Sequence, residues 1–534
     1  MNWLFLTQSR TLSVFYDIFK RYEETGLSGQ TGFYVSDSAY YHEFSIRHPE
    51  FNNHSKIIAR LNEWDIITKA RNVEPDENLL RDQEKRLGDP ILWNAIVCDR
   101  RLYFGGKATL EQNYQTRFSH KQLLAILQTG ILEMELLFDR VKPDVVVSFI
   151  CVTIGEYLAY LIARERKIPF VNLRPTRIQN YFFAGESILE PSRRLRKTYM
   201  EMIERIPVDL EQKARNCIDE VRQTHAMYEG VVPSDGKITE KISFGSRVGI
   251  GVRKAVRLME RIRYFSRYRF GKYRNDASYR GFLYPTWFVR VKQPIRRKIQ
   301  KLRLLKQYAD LSDLGSLDYA FFPLHKEPEV TMLVYGRPFL NQIEVVRNIA
   351  RSLPVGMKLV VKEHPAAVGY RPISYYRKLL TIPNVALVPP ETKSRDLVQS
   401  AKVVAVIGGS VGLETIILKK PLVVLGKVPF AFFPDTMVRY VTNCELLGNE
   451  ISSLISDYAH NESALVSFIA AVIHESVPIA FYSELLGRRG VYRALKPQDE
   501  GSTKDRSLDR LAQYIFEVAS GMARREPVRQ EMFK

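Results

Sequence analysis

The chain has 534 residues, of which 45% are hydrophobic, and its formal net charge is +20. This length is too great for one ordinary hydrophobic core and predicts two or three domains. The hydrophobic content, without any low-complexity tract in the sequence, excludes a disordered protein.

The N-terminal sequence MNWLFLTQ has no basic region, only a very short apolar run and no small-residue cleavage site. It is expected to form a first β-strand and not a signal peptide. No window approaches the ~18–20 unbroken apolar residues of a membrane span. The cysteines lack the spacing of a metal site and are expected to be reduced. Together these features predict a cytoplasmic protein that can sit peripherally on the inner membrane face. The four cysteines are Cys98, Cys151, Cys217 and Cys444.

The first part of the chain alternates strand and helix patterns, which is the signature of a parallel sheet. The run VVVSF, after Pro143 and Asp144, is typical of a strand buried on both faces. The predicted elements here are strand Asn2–Leu6, helix Thr11–Glu24, strand Gly32–Val35, helix His120–Arg140, helix Gly155–Arg166 and strand Ile168–Leu173.

The middle of the chain is helical and then strongly basic. Residues 247–306 hold nineteen Lys and Arg against two acidic residues, a net charge of +17, so the rest of the chain is nearly neutral. Three interpretations stay open for this segment: contact with an anionic membrane, binding of an acidic polysaccharide or lipid-diphosphate acceptor, and a solvated basic face between domains. Because no RNA-binding motif accompanies the charge, we do not expect nucleic acid as a partner.

The alternation resumes at Leu317 and predicts a second doubly wound sheet, followed by a final helix at Arg506–Ala519. The expected domains are residues 1–192, a basic connection at 193–316, a nucleotide-binding domain at 317–490 and a tail at 491–534. The predicted elements of the nucleotide-binding domain are strand Thr331–Tyr335, helix Leu340–Ser352, strand Lys358–Lys362, helix Tyr375–Leu380, strand Val385–Val388, helix Ser394–Ala401, strand Val403–Ile407, helix Val411–Leu418 and strand Pro421–Leu425.

The strongest single signal is the turn between strand and helix in VVAVIGGSVGLETIILKKPLVVLG, residues 403–426. In an open α/β sheet, ligands bind outside the carboxyl ends of the strands. Gly408 and Gly409 let the backbone approach a ligand closely, and Ser410 is a good N-cap residue. The N–H groups of the following helix, together with its dipole, favour an anion such as a nucleotide phosphate.

Two residues further along this helix add to the signal. Gly412 keeps its first turn open, and Glu414 lies one turn in, where a carboxylate can accept hydrogen bonds from two ribose hydroxyls. The alternative is an ordinary strand-to-helix turn with a solvated glutamate.

A second signal is VVKEHP, residues 360–365, where an apolar strand ends in ionisable residues. Pro365 biases His364 towards an extended backbone, so that its ring can project into a crevice. Imidazole can donate to a phosphate oxygen and, when protonated, offset the charge of a leaving nucleotide, and Lys362 can bind the same phosphates. The alternative is a solvent-exposed histidine beside a turn.

A third signal lies in FFPLHKEPEV and the residues after it. His325 and Glu329 precede the predicted strand Thr331–Tyr335, and Arg337 follows it, so these polar groups are expected at the edge between the domains, where they can bind substrate. A solvated loop is the alternative.

FFPLHKEPE, the KEHP strand end and IGGSVGLETIILKKPLVVLG together resemble the capsule polysaccharide synthesis family, which includes Kdo-transferring and other surface-polysaccharide glycosyltransferases. The resemblance is strong over residues 317–430 and looser over residues 168–187. It implies a GT-B fold, with two Rossmann-type, doubly wound parallel-sheet domains facing a cleft. It also implies transfer of a sugar from a nucleotide sugar to a growing bacterial capsule or lipopolysaccharide glycan.

The resemblance implies that His364, Ser410 and Glu414 contact the nucleotide sugar. The family often has a Ser-Ser or Ser-Thr pair in the loop, and here Gly409 occupies the first position. One hydroxyl contact is therefore missing, and the nucleotide, CMP or UDP, stays open.

An inverting transfer needs a carboxylate that takes the proton of the acceptor hydroxyl, and we expect it in the N-terminal domain. Glu156 and Asp37 both follow predicted strands, although each can instead serve a helix N-terminus. Arg174 and Arg177 can hold an acidic substrate bidentately, or a structural carboxylate.

No DxD-like motif stands in a convincing place, so we predict a metal-independent reaction with no cofactor besides the nucleotide-sugar co-substrate. The expected acceptor is a glycan or lipid-linked glycan. Two alternatives are a non-hydrolysing sugar-nucleotide 2-epimerase of the same fold and a non-catalytic factor for polysaccharide export or assembly.

Overall fold

The computed structural model describes residues 1–89, 91–105, 116–224, 259, 287–309, 317–481, 485 and 500–523. Of the basic segment, residues 247–258 and 260–286 lie outside the described residues. Within the described residues the chain forms two sheets of mainly parallel strands, which confirms the predicted α/β, GT-B-like fold class.

The first sheet has seven strands in the order β13-β6-β5-β4-β1-β2-β3. Five neighbouring strands, β5-β4-β1-β2-β3, pair in parallel, whereas β6 pairs antiparallel with both β5 and β13. Residues of β4 are buried throughout, as the apolar run VVVSF predicts. Its strands are β1 (Trp3–Thr7), β2 (Thr31–Val35), β3 (Ile57–Asn62), β4 (Val145–Phe149), β5 (Phe170–Pro175), β6 (Tyr181–Gly185) and β13 (Ser476–Pro478).

Helices cover both faces of this sheet. Alternating residues of β1 enter opposite cores: Leu4 and Leu6 pack in one, and Trp3 and Phe5 pack in the other. The helices of this part of the chain are α1 (Thr11–Glu24), α2 (Ser38–Arg47), α3 (Glu63–Ala70), α4 (Glu77–Leu87), α5 (Trp93–Val97), α6 (Arg100–Tyr103), α7 (His120–Val141), α8 (Ile154–Glu165), α9 (Arg193–Glu204) and α10 (Val208–Thr224).

The second sheet has six strands, all parallel, in the order β12-β11-β10-β7-β8-β9. Strand β7 lies between the strand that ends in KEHP and the strand that ends in the glycine turn. These two strands are therefore not neighbours, and their ends do not meet directly. The strands are β7 (Tyr319–Pro323), β8 (Lys358–Lys362), β9 (Val385–Val388), β10 (Val403–Val406), β11 (Leu422–Val424) and β12 (Val438–Tyr440).

The predicted strand Thr331–Tyr335 is wrong, since this segment forms a π-helical turn. A strand would direct Met332 and Val334 to the same side. Instead Met332 packs in the core of the second sheet, while Leu333 and Val334 pack in a core of the first sheet. The helices of this part are α11 (Gln293–Leu304), α12 (Gln342–Arg351), α13 (Ile373–Leu380), α14 (Ser394–Ser400), α15 (Ser410–Ile417), α16 (Leu447–Asp457), α17 (Glu462–His474) and α18 (Glu500–Ala523).

The chain crosses between the two sheets more than once. Helices α9 and α10 follow the first sheet in sequence, yet Tyr199 and Ile218 pack with Phe468 of α17. Strand β13 lies within the predicted C-terminal range 317–490 but pairs with β6. Leu511 and Ile515 of α18, which contains the predicted helix Arg506–Ala519, pack on the first sheet. The two halves are thus joined by packed elements on both sides of the cleft.

Candidate active site

A cleft separates the carboxyl ends of the two sheets. Arg174 to Arg177 line it on the side of the first sheet, and Thr331, Tyr335, Gly409 and Ser410 line it on the side of the second. The empty space between these walls is about 900 Å³, part of which is open to solvent. Clefts in this position commonly hold small-molecule substrates.

The glycine turn forms one wall of this cleft. Gly409 has φ +91° and ψ −175°, a conformation that L side chains rarely adopt, and it is the residue that precedes helix α15. Ser410, predicted as the N-cap, is instead the first helical residue, and within the described part of the chain no side chain caps the helix. Since Gly409 and Ser410 both line the cleft, the uncapped N–H groups of this turn are available to an anion there.

His325 connects the glycine turn to β7. Its Nε2 lies 2.7 Å from the carbonyl oxygen of Gly408 and 3.2 Å from the amide nitrogen of Gly408. Because a carbonyl oxygen only accepts, the shorter contact requires a proton on Nε2. Burial lowers the pKa of His325 to about 4, so the ring is neutral at neutral pH. Gln342 fixes the backbone, accepting from the amide of His325 at 2.7 Å and donating to its carbonyl at 2.9 Å.

A buried ion pair connects β7 to the KEHP segment. The Arg371 guanidinium donates to both carboxylate oxygens of Glu363 at 2.6 Å and to the carbonyl oxygen of His325 at 2.6 Å. Tyr376 also donates to Glu363, at 2.7 Å, and Glu327 lies 3.2 Å from Arg371. The three segments that end β7, β8 and β10 are therefore held together through His325. Sequence reasoning missed Arg371, because nothing in its loop indicates that it reaches back to a strand end.

Lys362 and His364 flank this ion pair. Lys362 is buried, its Nζ donates to Ser394 Oγ at 3.1 Å, and burial lowers its pKa to about 8. His364 is exposed, and its Nδ1 accepts from the amide of Ala366 at 3.1 Å, which leaves Nε2 directed away from that turn. Partial desolvation of the ring lowers the pKa of His364, while the negative charges of Glu329 and Glu363 oppose that effect.

Glu414 lies on the same side as Lys362. Burial raises the pKa of the Glu414 carboxyl, and the positive charges of Arg395 and Lys362 oppose this rise. Likewise, the charge of a protonated His364 lowers the pKa of His325. Glu414 therefore lies within electrostatic range of Lys362, and His364 within range of His325. The predicted donor-site residues stand at or after the ends of β8 and β10, on the carboxyl edge of the second sheet.

Gly412 has a different role from the one predicted. A Cβ at this position would lie 2.6 Å from the ring of Phe430 and 3.3 Å from Val406, and Gly412 is buried. It permits close packing of helix α15 and does not open the helix towards a ligand.

Arg174 and Arg177, predicted to bind substrate, differ in their surroundings. Arg174 is buried, pairs with Glu190 at 2.6 Å and donates to the carbonyl oxygens of Ser187 and Leu189. Its head group is therefore structural, which corrects the prediction for Arg174. Arg177, with φ +64°, lines the cleft together with the glycine turn.

The two carboxylates predicted as catalytic bases both serve helix N-termini. Glu156 is fully buried in a capping box. It accepts from the backbone amides of Val152 and Thr153, from the hydroxyl of Thr153 and from the side-chain amide of Gln8. A group so enclosed cannot reach an acceptor hydroxyl, so Glu156 is corrected to a structural residue. Asp37 caps α2 by accepting from the amide of Tyr40 at 3.0 Å, and Ser9 donates to its other oxygen at 2.5 Å, but it is only partly buried.

Glu329 and Arg337 lie at the edge between the halves, as expected, with different partners. Glu329 is exposed and lies 3.6 Å from Lys326. Arg337 donates to the Tyr157 hydroxyl at 3.1 Å, and Tyr157 donates to Asp89 at 2.8 Å. This chain of hydrogen bonds joins the second sheet to helix α8, so Arg337 makes a contact between the halves.

Within the described residues, no group of three or more His, Cys, Asp or Glu side chains has the arrangement of a metal site. Nor does any helix within those residues have the length and apolar character needed to span a bilayer.

Comparison with known proteins supports the resemblance over part of the chain. Residues 333–434 match the family model described as capsule polysaccharide biosynthesis protein, which confirms the predicted family resemblance of this segment. It contains the KEHP segment and the glycine turn. No curated protein sequence matches the chain.

Several solved structures are similar at low identity. A beta Kdo 2,4 transferase, KpsC of Thermosulfurimonas dismutans, is 12% identical over 71% of this chain and 86% of its own, with a TM-score of 0.35. The UDP-GlcNAc 2-epimerase of Neisseria meningitidis bound to UDP-GlcNAc is 13% identical over 89% of this chain and 99% of its own, with a TM-score of 0.28. At TM-scores this low, neither similarity assigns an activity to this chain.

Proposed function

We propose that this protein is a glycosyltransferase that moves a sugar from a nucleotide-sugar donor, CMP- or UDP-linked, to a growing surface glycan on the cytoplasmic side of the membrane. The observation that carries the proposal is the convergence of the ends of β7, β8 and β10 on one edge of the second sheet, beside the open glycine turn. The match of residues 333–434 to the capsule biosynthesis family supports the same conclusion.

The donor binds with its phosphates at the glycine turn. The uncapped N–H groups at Gly409 and Ser410 donate hydrogen bonds to the phosphate oxygens, and Lys362 contributes a cation from the neighbouring side. Glu414 accepts hydrogen bonds from ribose hydroxyls. The neutral His325 positions the turn, because its Nε2–H donates to the carbonyl oxygen of Gly408. It contributes no charge to the site.

The exposed His364 stabilises the leaving group. When its Nδ1 accepts from the amide of Ala366, the neutral ring carries its proton on Nε2 and can donate to a phosphate oxygen. As the bond between sugar and phosphate breaks, negative charge develops on the nucleotide, and this donor together with Lys362 offsets it. The transfer needs no metal in this proposal.

The acceptor enters from the first sheet. Asp37 takes the proton of the attacking hydroxyl, because it follows β2 at the carboxyl edge and is only partly buried. Its neighbour Ser9 adjoins Gln8, which donates to the carbonyl oxygen of Ile150, a residue of the cleft wall. Arg177, on the same wall, holds the acidic groups of the donor or acceptor.

The proposal is tested by assaying sugar transfer with purified His364→Ala and with His474→Ala, an exposed histidine at the end of α17, as the matched control. We expect a loss of transfer of about 100-fold or more for His364→Ala, with unchanged thermal unfolding, and full activity for the control. Full turnover by His364→Ala would refute its role. Product formed from the nucleotide sugar without any acceptor would instead indicate the epimerase.

A further inference from the structure

Helix α11 and the turn before it, residues 287–306, form the described part of the basic segment. One face of this helix is anchored to the second sheet. Gln300 donates to the carbonyl oxygen of Arg371 and accepts from the amide of Gly369 at 2.9 Å, and Leu304 is buried beside it. Phe288, also buried, lies 5.7 Å from the ring of Tyr370.

The opposite face exposes large apolar side chains. Ile295 is 53% exposed, Ile299 is 42% exposed and Leu302 is 73% exposed. At 3.6 residues per turn these positions lie on one stripe, on the side of the helix away from Gln300 and Leu304. Further exposed apolar residues lie before and after this stripe along the chain, namely Trp287, Val289, Val291 and Leu305. An apolar surface of this kind on a soluble helix indicates an interaction.

Cations surround the apolar stripe. Residues 287–306 contain eight Lys and Arg and no acidic residue. By helical geometry, Lys298 and Arg303 lie on either flank of the stripe formed by Ile295, Ile299 and Leu302. Long basic side chains in this position can place their charges among phosphate groups while their stems cover apolar surface.

We propose that this face of helix α11 docks on the surface of an anionic phospholipid bilayer, with the apolar stripe entering the boundary between headgroups and acyl chains. A helix with one apolar face and a basic rim lies in the plane of the interface. A nucleic acid or an acidic glycan would engage the charges but would leave the apolar stripe in water, so the combination favours a bilayer. The inference depends on the geometry of the helix and not on the proposed transfer reaction.

The anchor gives the docked helix a consequence for the site. Gln300 holds the segment at Gly369 to Arg371, and Arg371 holds Glu363, the residue before His364. Docking therefore brings the KEHP segment at the end of β8 close to the lipid surface. This arrangement suits an acceptor that is itself held in the membrane.

The test is vesicle binding by the full-length protein, measured by co-sedimentation with vesicles of pure phosphatidylcholine and of phosphatidylcholine with 30 mol% phosphatidylglycerol as probe (about physiological anionic content). We compare the wild type with the triple variant Ile295→Ser, Ile299→Ser, Leu302→Ser. A matched control carries Ile46→Ser, Leu136→Ser and Val355→Ser, three apolar residues elsewhere that are on average still more exposed.

We expect wild type and control to bind anionic vesicles and to bind neutral vesicles at least tenfold more weakly. The triple variant should lose at least tenfold in partitioning while keeping its thermal unfolding, because the substituted side chains are exposed. Equal binding of anionic vesicles by the triple variant and the control would overturn the proposal. Loss of sugar transfer plays no part in this readout, so the failure of either proposal can be recognised separately.

Discussion

The Nε2 atom of His325 lies 2.7 Å from the carbonyl oxygen of Gly408. This contact joins the end of β7 to the glycine turn after β10, across a boundary between parallel strands. On its other side, the backbone of His325 accepts from Arg371, which holds Glu363. One histidine thus fixes the relative positions of the two segments that carry the proposed donor contacts.

The glycine turn can be tested with a pair of matched substitutions. Gly409 has φ +91° and Gly356 has φ +87°, and a Cβ at either position would meet nothing within 4 Å. Gly409→Ala and Gly356→Ala should therefore cost similar backbone strain, roughly 1–3 kcal/mol of unfolding free energy by urea titration. Only Gly409→Ala should weaken nucleotide binding, by about tenfold or more. Equal affinities of the two variants would contradict a phosphate site at this turn.

The buried ion pair predicts a large loss of stability. Arg371→Met leaves the Glu363 carboxylate buried without its cation and should lower the unfolding free energy by about 3–5 kcal/mol. The control is Arg347→Met, which breaks an exposed pair with Glu344 and should cost about 1 kcal/mol or less. Comparable losses for the two variants, measured by chemical denaturation, would show that the Arg371 pair does not hold the strand ends together.

The half-buried His325 predicts a dependence of stability on pH. Its folded pKa of about 4 lies below the ordinary value of 6.5, so the folded state binds the proton less readily than the unfolded chain. The free energy of unfolding is therefore independent of this group above about pH 6.5 and falls as the pH decreases from 6.5 towards 4. His325→Gln should flatten this part of the profile by an amount on the order of 3 kcal/mol. Identical acid slopes for wild type and variant would refute a neutral His325 in the folded state.

Substitution of the two candidate bases is expected to have opposite effects on kcat. Asp37→Asn should lower kcat by about 100-fold or more, because asparagine cannot take a proton but can still cap α2. Glu156→Gln should keep kcat within about threefold, since Glu156 only caps α8, and should lower stability by roughly 1–2 kcal/mol. A large loss of kcat for Glu156→Gln with normal Asp37→Asn activity would reverse this assignment.

The sequence predicts most of the second sheet, because its local signals are strong. Glycines, a proline and apolar runs mark the ends of β8 and β10, and both candidate segments lie at strand ends as expected. Strand order is different, since nothing in VVKEHP or in the glycine turn reveals that β7 pairs between them. Pairing depends on contacts between residues far apart in sequence, which periodicity does not encode.

The N-terminal site residues were predicted less well. A carboxylate three residues after Thr153 is a capping-box pattern, so the sequence did contain the signal that Glu156 is structural. Arg174 offered no such signal, because its partner Glu190 lies in a later loop. The π-helical turn at Thr331–Tyr335 was missed because its apolar residues serve two cores, which makes a short apolar run look like a buried strand.

The central claim is that a nucleotide sugar binds at the carboxyl edge of the second sheet, and strand β8 offers an internal control. Lys362 lies at the carboxyl end of this strand and Lys358, exposed, lies at its amino end. We would titrate wild type, Lys362→Met and Lys358→Met with UDP, CMP, GDP and their sugars in a calorimeter. At least one nucleotide should bind wild type and Lys358→Met equally and Lys362→Met about tenfold or more weakly, as loss of a charge-assisted contact to phosphate implies. Equal binding to all three proteins, or no nucleotide binding by the wild type, would contradict the claim.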